Sequence, residues 1–82
     1  MSKALTLEKV TAIFRSVLDQ PDLILQLKSV AGEVEGWDSL SHVDILVRIE
    51  AEFGIKFTLK EIQGFSNVDD LITLVLQKKN AV

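Results

Sequence analysis

The stretch from Gly36 to Gly54, GWDSLSHVDILVRIEAEFG, constrains the fold more than any other part of the chain. Gly36 interrupts the preceding backbone, and Asp38 and Ser39 are both good helix N-cap residues. Apolar residues then recur at helical spacing at Leu40, Val43, Leu46, Val47, Ile49 and Phe53. Gly54 stands where a left-handed glycine closes a helix. The pattern predicts a helix from Ser39 to about Phe53. One serine thus sits at the mouth of an amphipathic helix, where unpaired N–H groups and the positive dipole end suit a phosphate.

A polar stripe of Ser41, Asp44, Arg48 and Glu52 opposes the apolar face. Asp44 with Arg48, and Arg48 with Glu52, are spaced as i,i+4 ion pairs. Ile45 is expected beside that stripe and partly exposed. Glu50 falls in the apolar sector, with no partner evident from sequence.

The remainder reads as helices joined by turns. Thr6 is the expected N-cap of a first helix running to about Asp19, with Leu7, Val10, Ile13, Phe14, Val17 and Leu18 on one face. Pro21 stops it. Residues 22–36 hold a short apolar run, Leu23, Ile24, Leu25 and Leu27, that could be a strand. The chain offers no second strand to pair with it, so a long loop pinned to the core, with one helical turn, is expected. Thr58-Leu59-Lys60-Glu61 is a capping box flanked by a Phe57–Ile62 staple, and Gly64 keeps that third helix short. Ser66 or Asn67 caps a final helix with Asp69 and Asp70 in its first turn. Its buried face is Val68, Leu71, Ile72 and Val75, and Lys78 and Lys79 complement its dipole. The expected fold class is all-α, a small four-helix bundle of three longer helices and one short one, with a long loop between helices one and two.

At 82 residues the chain is expected to be a single domain, 1–82. It is 48% hydrophobic and 26% charged, a globular rather than disordered balance. The net charge is -3 with no basic cluster, which argues against a nucleic-acid partner. No apolar run approaches the roughly 18 residues of a membrane span, and MSKALTLEKV lacks a signal peptide's apolar core. The cytoplasm is the expected compartment, and a monomer the expected state. With no cysteine, thiol chemistry would require an imported thiol.

Trp37-Asp38-Ser39-Leu40, followed by Glu50-Ala51-Glu52-Phe53-Gly54, resembles the modification site and second helix of an acyl carrier protein. The resemblance extends more loosely over nearly the whole chain. It implies that Ser39 bears 4′-phosphopantetheine, donated from coenzyme A, whose terminal thiol carries acyl groups as thioesters. It also implies that Asp38 assists attachment by a phosphopantetheinyl transferase of the holo-synthase type and its Mg²⁺, an ion that takes oxygen ligands and bridges diphosphates. Acyl-loading and acyl-using enzymes would dock on the second helix, through Leu40, Asp44, Val47, Arg48 and Glu52. Arg48 interrupts the acids, and Ala51 stands where the typical fatty-acid carrier has another acid. The departure implies a dedicated carrier in fatty-acid, polyketide or related specialised biosynthesis, whose partner presents a mixed-charge surface. A peptidyl carrier, or a helical interaction module without an arm, remains an alternative. The former usually has Gly-Gly-His/Asp before its serine, and Gly36-Trp37-Asp38 fits that poorly.

Each candidate also has a plainer reading. Ser39 is suited to simple capping, Asp38 equally so, and Trp37 to packing. His42, three residues after Ser39, suggests a nucleophile pair, yet no orienting acid or oxyanion hole accompanies it. Nor do Asp38, His42 and Asp44 close a metal shell. A surface histidine is expected, with no catalytic residue and no metal. Four Phe and one Trp leave a mostly aliphatic core, which is expected to part for an acyl tail.

Overall fold

Ser2 starts the first helix, one turn earlier than Thr6 would. The structure is a computed structural model that describes residues 2–80. Helix α1 spans Lys3–Leu18, with the Ser2 hydroxyl accepting from the Leu5 N–H at 3.1 Å. Thr6 lies buried inside it and donates its hydroxyl to the Ser2 carbonyl at 2.8 Å. A threonine satisfied by its own backbone has no need to cap, which corrects the expected start.

Asp19 ends α1 in the left-handed region, φ 53°, which aspartate tolerates better than most residues. A long loop follows, with a single 3₁₀ turn at Ala31–Glu33. Leu25, Val34 and Trp37 are buried along it, so the loop is pinned as expected. Polar ties reinforce the pinning: Arg15 Nε donates to the Leu23 carbonyl at 2.7 Å, and Gln20 Nε2 to the Glu35 carbonyl at 2.6 Å. The loop also serves the last helix. Its carbonyls at Ser29 and Leu27 accept from the N–H groups of Val68 and Asp69, at 2.9 and 2.8 Å.

Helix α2 spans Ser39–Phe53 and closes on Gly54 at φ 68°. Its buried face is Ile45, Leu46, Ile49 and Phe53. Ile45 is completely buried, whereas Leu40, Val43 and Val47 are 83%, 50% and 55% exposed, a correction to the expected facing. The apolar arc is wide enough to offer two overlapping stripes, and packing against α1 and α4 selects the one through Ile45. Glu50 is also explained: its carboxylate accepts the Phe57 N–H at 2.7 Å, in the linker beyond the helix.

Helix α3 is Leu59–Gln63, with the Thr58–Glu61 capping box formed as read from sequence. Helix α4 is Val68–Asn80, and Asn67 rather than Ser66 caps it, accepting the Asp70 N–H at 2.9 Å. Val68, Leu71, Ile72 and Val75 are buried on α4, as expected. Lys78 and Lys79 reach across to other elements. Lys78 pairs with Glu61 at 2.9 Å, and Lys79 donates to the Phe53 carbonyl, the last of α2, at 3.2 Å. The fold is therefore an all-α four-helix bundle, and among the described residues there is no strand. Val10 and Phe14 of α1 complete the core with the buried faces of α2 and α4. Each such side chain contributes roughly 1.5–3 kcal/mol on burial. Helix α3 supplies no buried residue.

Candidate functional site

Gly36, at φ 83°, turns the chain into α2 in a conformation that strains other residues. Two residues later the Asp38 carboxylate receives the N–H groups of Leu40 and Ser41 at 3.1 and 2.9 Å. Ser41 answers by accepting the Asp38 N–H at 2.9 Å and donating its hydroxyl to the Gly36 carbonyl at 2.8 Å. The result is a capping box in which serine replaces the usual acid. The Ser41 N–H does most to hold the Asp38 carboxyl below the usual carboxylate range, with the Ser41 hydroxyl and the Leu40 N–H assisting.

Because Asp38 does the capping, Ser39 does not have to. Ser39 is the first residue of α2, is exposed, and its hydroxyl makes no hydrogen bond among the described residues. A free hydroxyl therefore stands at the positive end of a 15-residue helix.

His42 is not the surface residue expected. Its ring is partly buried and held at both nitrogens: Trp37 Nε1–H donates to Nδ1 at 3.0 Å, and Nε2 lies 2.9 Å from the Ile62 carbonyl. A carbonyl can only accept, so Nε2 carries the proton and the imidazole is neutral. With both nitrogens engaged, His42 can neither activate Ser39 nor ligate a metal without breaking this arrangement.

The clamp belongs to a line of rings. Phe14 meets Trp37 edge-on at 4.8 Å, which confirms Trp37 as a packing residue. Trp37 lies 5.9 Å from His42, and His42 lies 6.0 Å from Phe65. Phe65 meets Phe57 at 5.9 Å, and Lys78 Nζ sits 5.9 Å from the Phe57 ring. Beside this line runs a groove of about 490 Å³, bounded by Ser39, His42 and Val43 of α2, by Leu59, Ile62 and Gln63 of α3, and by Phe65 before α4. That volume is within the range of small-molecule sites, about 300–1,000 Å³. Its wall is mainly carbon, and Ser39 stands on its rim.

The expected partner-facing residues share the outer side of α2. Leu40 and Val47 are exposed, as are Asp44, Arg48 and Glu52, each about half-exposed. Of the two ion pairs read from the sequence, Asp44–Arg48 is formed and Arg48–Glu52 is not. Arg48 turns back to Asp44 at 3.3 Å and reaches Ser16 of α1 at 3.4 Å, while Glu52 lies 3.8 Å from Lys9 of α1. The expected Arg48–Glu52 pair is replaced by these contacts with α1. Sequence reasoning missed the Trp37–His42–Ile62 clamp and the groove-lining role of Leu59 and Phe65. The only available signal was a tryptophan and a histidine on either side of the cap.

The family described as "Phosphopantetheine attachment site" matches residues 8–75 of this chain. The chain is 36% identical to acyl carrier protein 1, chloroplastic, of Casuarina glauca over 96% of its own length, and spans 60% of that relative. It is 29% identical to the acyl carrier protein of Thermosynechococcus vestitus, covering 95% of this chain and 96% of that one. Among solved structures, the holo acyl carrier protein of Geobacter metallireducens superposes with a TM-score of 0.85 at 41% identity. That match covers 93% of this chain and 87% of the other.

Proposed function

We propose, from the premise that this chain belongs to the phosphopantetheine-attachment family of acyl carrier proteins, that Ser39 is the residue on which its 4′-phosphopantetheine is carried. The observation that supports this most is the division of labour at the start of α2. Asp38 caps, and Ser39 is left exposed with an unengaged hydroxyl at the helix mouth. The residues present fit the group, because a phosphodiester on the exposed Ser39 hydroxyl meets the positive end of the α2 dipole. When bound, the arm supplies a terminal thiol that holds acyl groups as thioesters.

Attachment joins Ser39 Oγ to the pantetheine phosphorus of coenzyme A. The diphosphate P–O bond breaks, adenosine bisphosphate leaves, and the serine proton passes to the transferase. Asp38, whose carboxylate is held ionised by the Ser41 and Leu40 N–H groups, would offer an oxygen to the transferase's Mg²⁺. The groove beside Ser39 shelters the proximal part of the cargo from water, where each CH₂ gains roughly 0.8 kcal/mol by burial.

Partner enzymes read α2 through Leu40, Asp44, Val47, Arg48 and Glu52. The exposed leucine and valine supply apolar contact, and the Asp44–Arg48 pair supplies mixed charge. That surface favours a dedicated carrier in fatty-acid, polyketide or related specialised biosynthesis, and the state and compartment proposed for it are a monomer in the cytoplasm. The test is to incubate the protein with coenzyme A, Mg²⁺ and a broad-range phosphopantetheinyl transferase. Mass spectrometry should show the addition of one arm, and Ser39→Ala should abolish it while the helical spectrum is kept. Continued labelling of the alanine variant would falsify the assignment.

A further inference from the structure

Ser41 does more than close the cap of α2. Its hydroxyl accepts the Asp38 N–H at 2.9 Å and donates to the Gly36 carbonyl at 2.8 Å, while its own N–H goes to Asp38 Oδ1 at 2.9 Å. One residue thus ties both ends of the Gly36–Asp38 turn to the first turn of the helix. Behind the turn, Gln20 holds the Glu35 carbonyl, and the Trp37 ring packs on Phe14 and donates to His42. None of these rear ties touches Asp38 itself. The Asp38 carboxylate is engaged on one side only. Oδ1 takes both the Leu40 and the Ser41 N–H groups, and Oδ2 accepts no hydrogen bond among the described residues. Asp38 is exposed, as is Ser39 next to it.

We propose that Ser41 is a positioning residue for the attachment reaction: its hydroxyl fixes the Gly36–Asp38 turn, so that Asp38 keeps one carboxylate oxygen in the cap and offers the other next to Ser39. This rests on the carrier reading above and adds a residue to its machinery. Without the hydroxyl, the Leu40 and Ser41 N–H groups still hold Oδ1, so α2 keeps its cap. What is lost is the hold on the backbone, because the Asp38 N–H and the Gly36 carbonyl both lose this partner. Gly36, at φ 83° and without a side chain, gives the turn little stiffness of its own. The free carboxylate oxygen then samples a range of positions. A group misplaced by about 1 Å can cost on the order of a hundredfold in rate.

The experiment offers the whole chain, as wild type, Ser41→Ala, Ser41→Thr and Ser41→Val, to a transferase of the holo-synthase type with coenzyme A and Mg²⁺. Initial rates over a range of carrier concentration separate kcat from KM, and intact mass verifies the single arm. Ser41→Ala should lower kcat by roughly ten- to a hundredfold. A variant that merely folded less well would supply less competent substrate, raising KM and leaving kcat in place. Ser41→Thr restores the hydroxyl and should return kcat to near the wild-type value. Ser41→Val, of the same shape without the hydroxyl, should not. Hydrogen exchange gives a readout free of the transferase: the Asp38 amide should exchange several-fold faster in the alanine and valine variants, with Leu46 and Ile49 unchanged. In an Asp38→Asn background, Ser41→Ala should cost nothing further, since Ser41 acts through Asp38. Wild-type kcat in the alanine and valine variants, an effect confined to KM, or an undiminished loss in the Asp38→Asn background each overturns the proposal. Should Ser41→Ala fail to fold, the threonine–valine pair decides the matter. Absence of any arm on the wild type would overturn the carrier reading and this inference with it, and mass alone distinguishes that outcome from a slowed variant.

Discussion

Two sides of this bundle are held together by different physics. Where α1, α2 and α4 meet, Val10, Phe14, Ile45, Leu46, Ile49, Leu71, Ile72 and Val75 are essentially removed from water. Around α3 no residue of the helix is buried. Ile62 alone of this helix packs against the core, and only partly buried, so much of the hold comes from the capping box, from Lys78 on Glu61, and from His42 on the Ile62 carbonyl. Apolar packing is cumulative and has no single point of release. A few polar contacts open one at a time, and low-stability segments are those that functional motion draws upon. Helix α2 joins the two regimes, its C-terminal half in the core and its Ser39 end at the soft side.

The comparison is broken most easily by cutting the core. Ile49→Ala should cost about 2–5 kcal/mol in chemical denaturation, with every probe falling together. A loss well under that range would mean that the α1–α2–α4 side is not the main source of stability. On the other side, Thr58→Ala removes a cap worth about 1 kcal/mol. Hydrogen exchange should then speed up in α3 and leave the α1 and α4 amides near wild type. Uniform acceleration across the molecule would show that α3 is not a separate cooperative unit.

Acid offers a third way to separate the two sides. The Asp38 and Glu61 carboxyls are both held below the usual range, Asp38 chiefly by the Ser41 N–H and Glu61 chiefly by the Thr58 N–H with help from Lys78. A lowered carboxylate stabilises the fold above its unfolded-state value, and that contribution fades as pH falls through the lowered one. Amide signals of Leu40, Ser41 and Glu61 should therefore hold steady through the usual carboxylate range and move only as pH falls below it; movement within that range would show that the two caps do not hold their carboxylates low. The smallest effect on folding is expected from Arg48→Glu, whose exposed pairing contributes roughly 0.2–1 kcal/mol. Its larger consequence is for docking: turnover with the cognate partner should slow through association, and the defect should shrink as salt rises. Unchanged kinetics at low salt would remove Arg48 from the partner surface.

The same contrast explains what the sequence made legible. Caps and breakers act through nearby backbone, so Asp38, the Thr58–Glu61 box, Gly54 and the limits of α2 and α3 could be read directly. Facing depends on neighbours far along the chain. Hence spacing alone puts Leu40, Val43 and Val47 on one apolar face with Leu46 and Ile49 and sets Ile45 beside the polar stripe, whereas the fold buries Ile45 and leaves those three exposed. Ser2 and Thr6 are both capping residues, and only the buried position of Thr6 decides between them. Lys78, Lys79 and Glu50 carry charges whose partners lie on other elements, at separations that no periodicity encodes. For the site, Ser39 and Asp38 were legible because they share one turn. The His42 clamp was not, since its second partner is a backbone carbonyl on α3 that no side-chain motif advertises.

The bonds from Val68 and Asp69 to the Ser29 and Leu27 carbonyls bear on how the chain folds rather than on what it holds. Each closes a loop of about forty residues, and closing such a loop is entropically unfavourable until both ends have settled. The connecting segment is therefore expected to organise late, after α1, α2 and α4 have collapsed around Phe14 and Ile72. Substitutions at Leu27 or Ser29 should then leave the refolding rate nearly unchanged and raise the unfolding rate, the kinetic mark of contacts absent from the transition state. By that measure the loop limits the lifetime of the native state and has little part in how quickly it is reached.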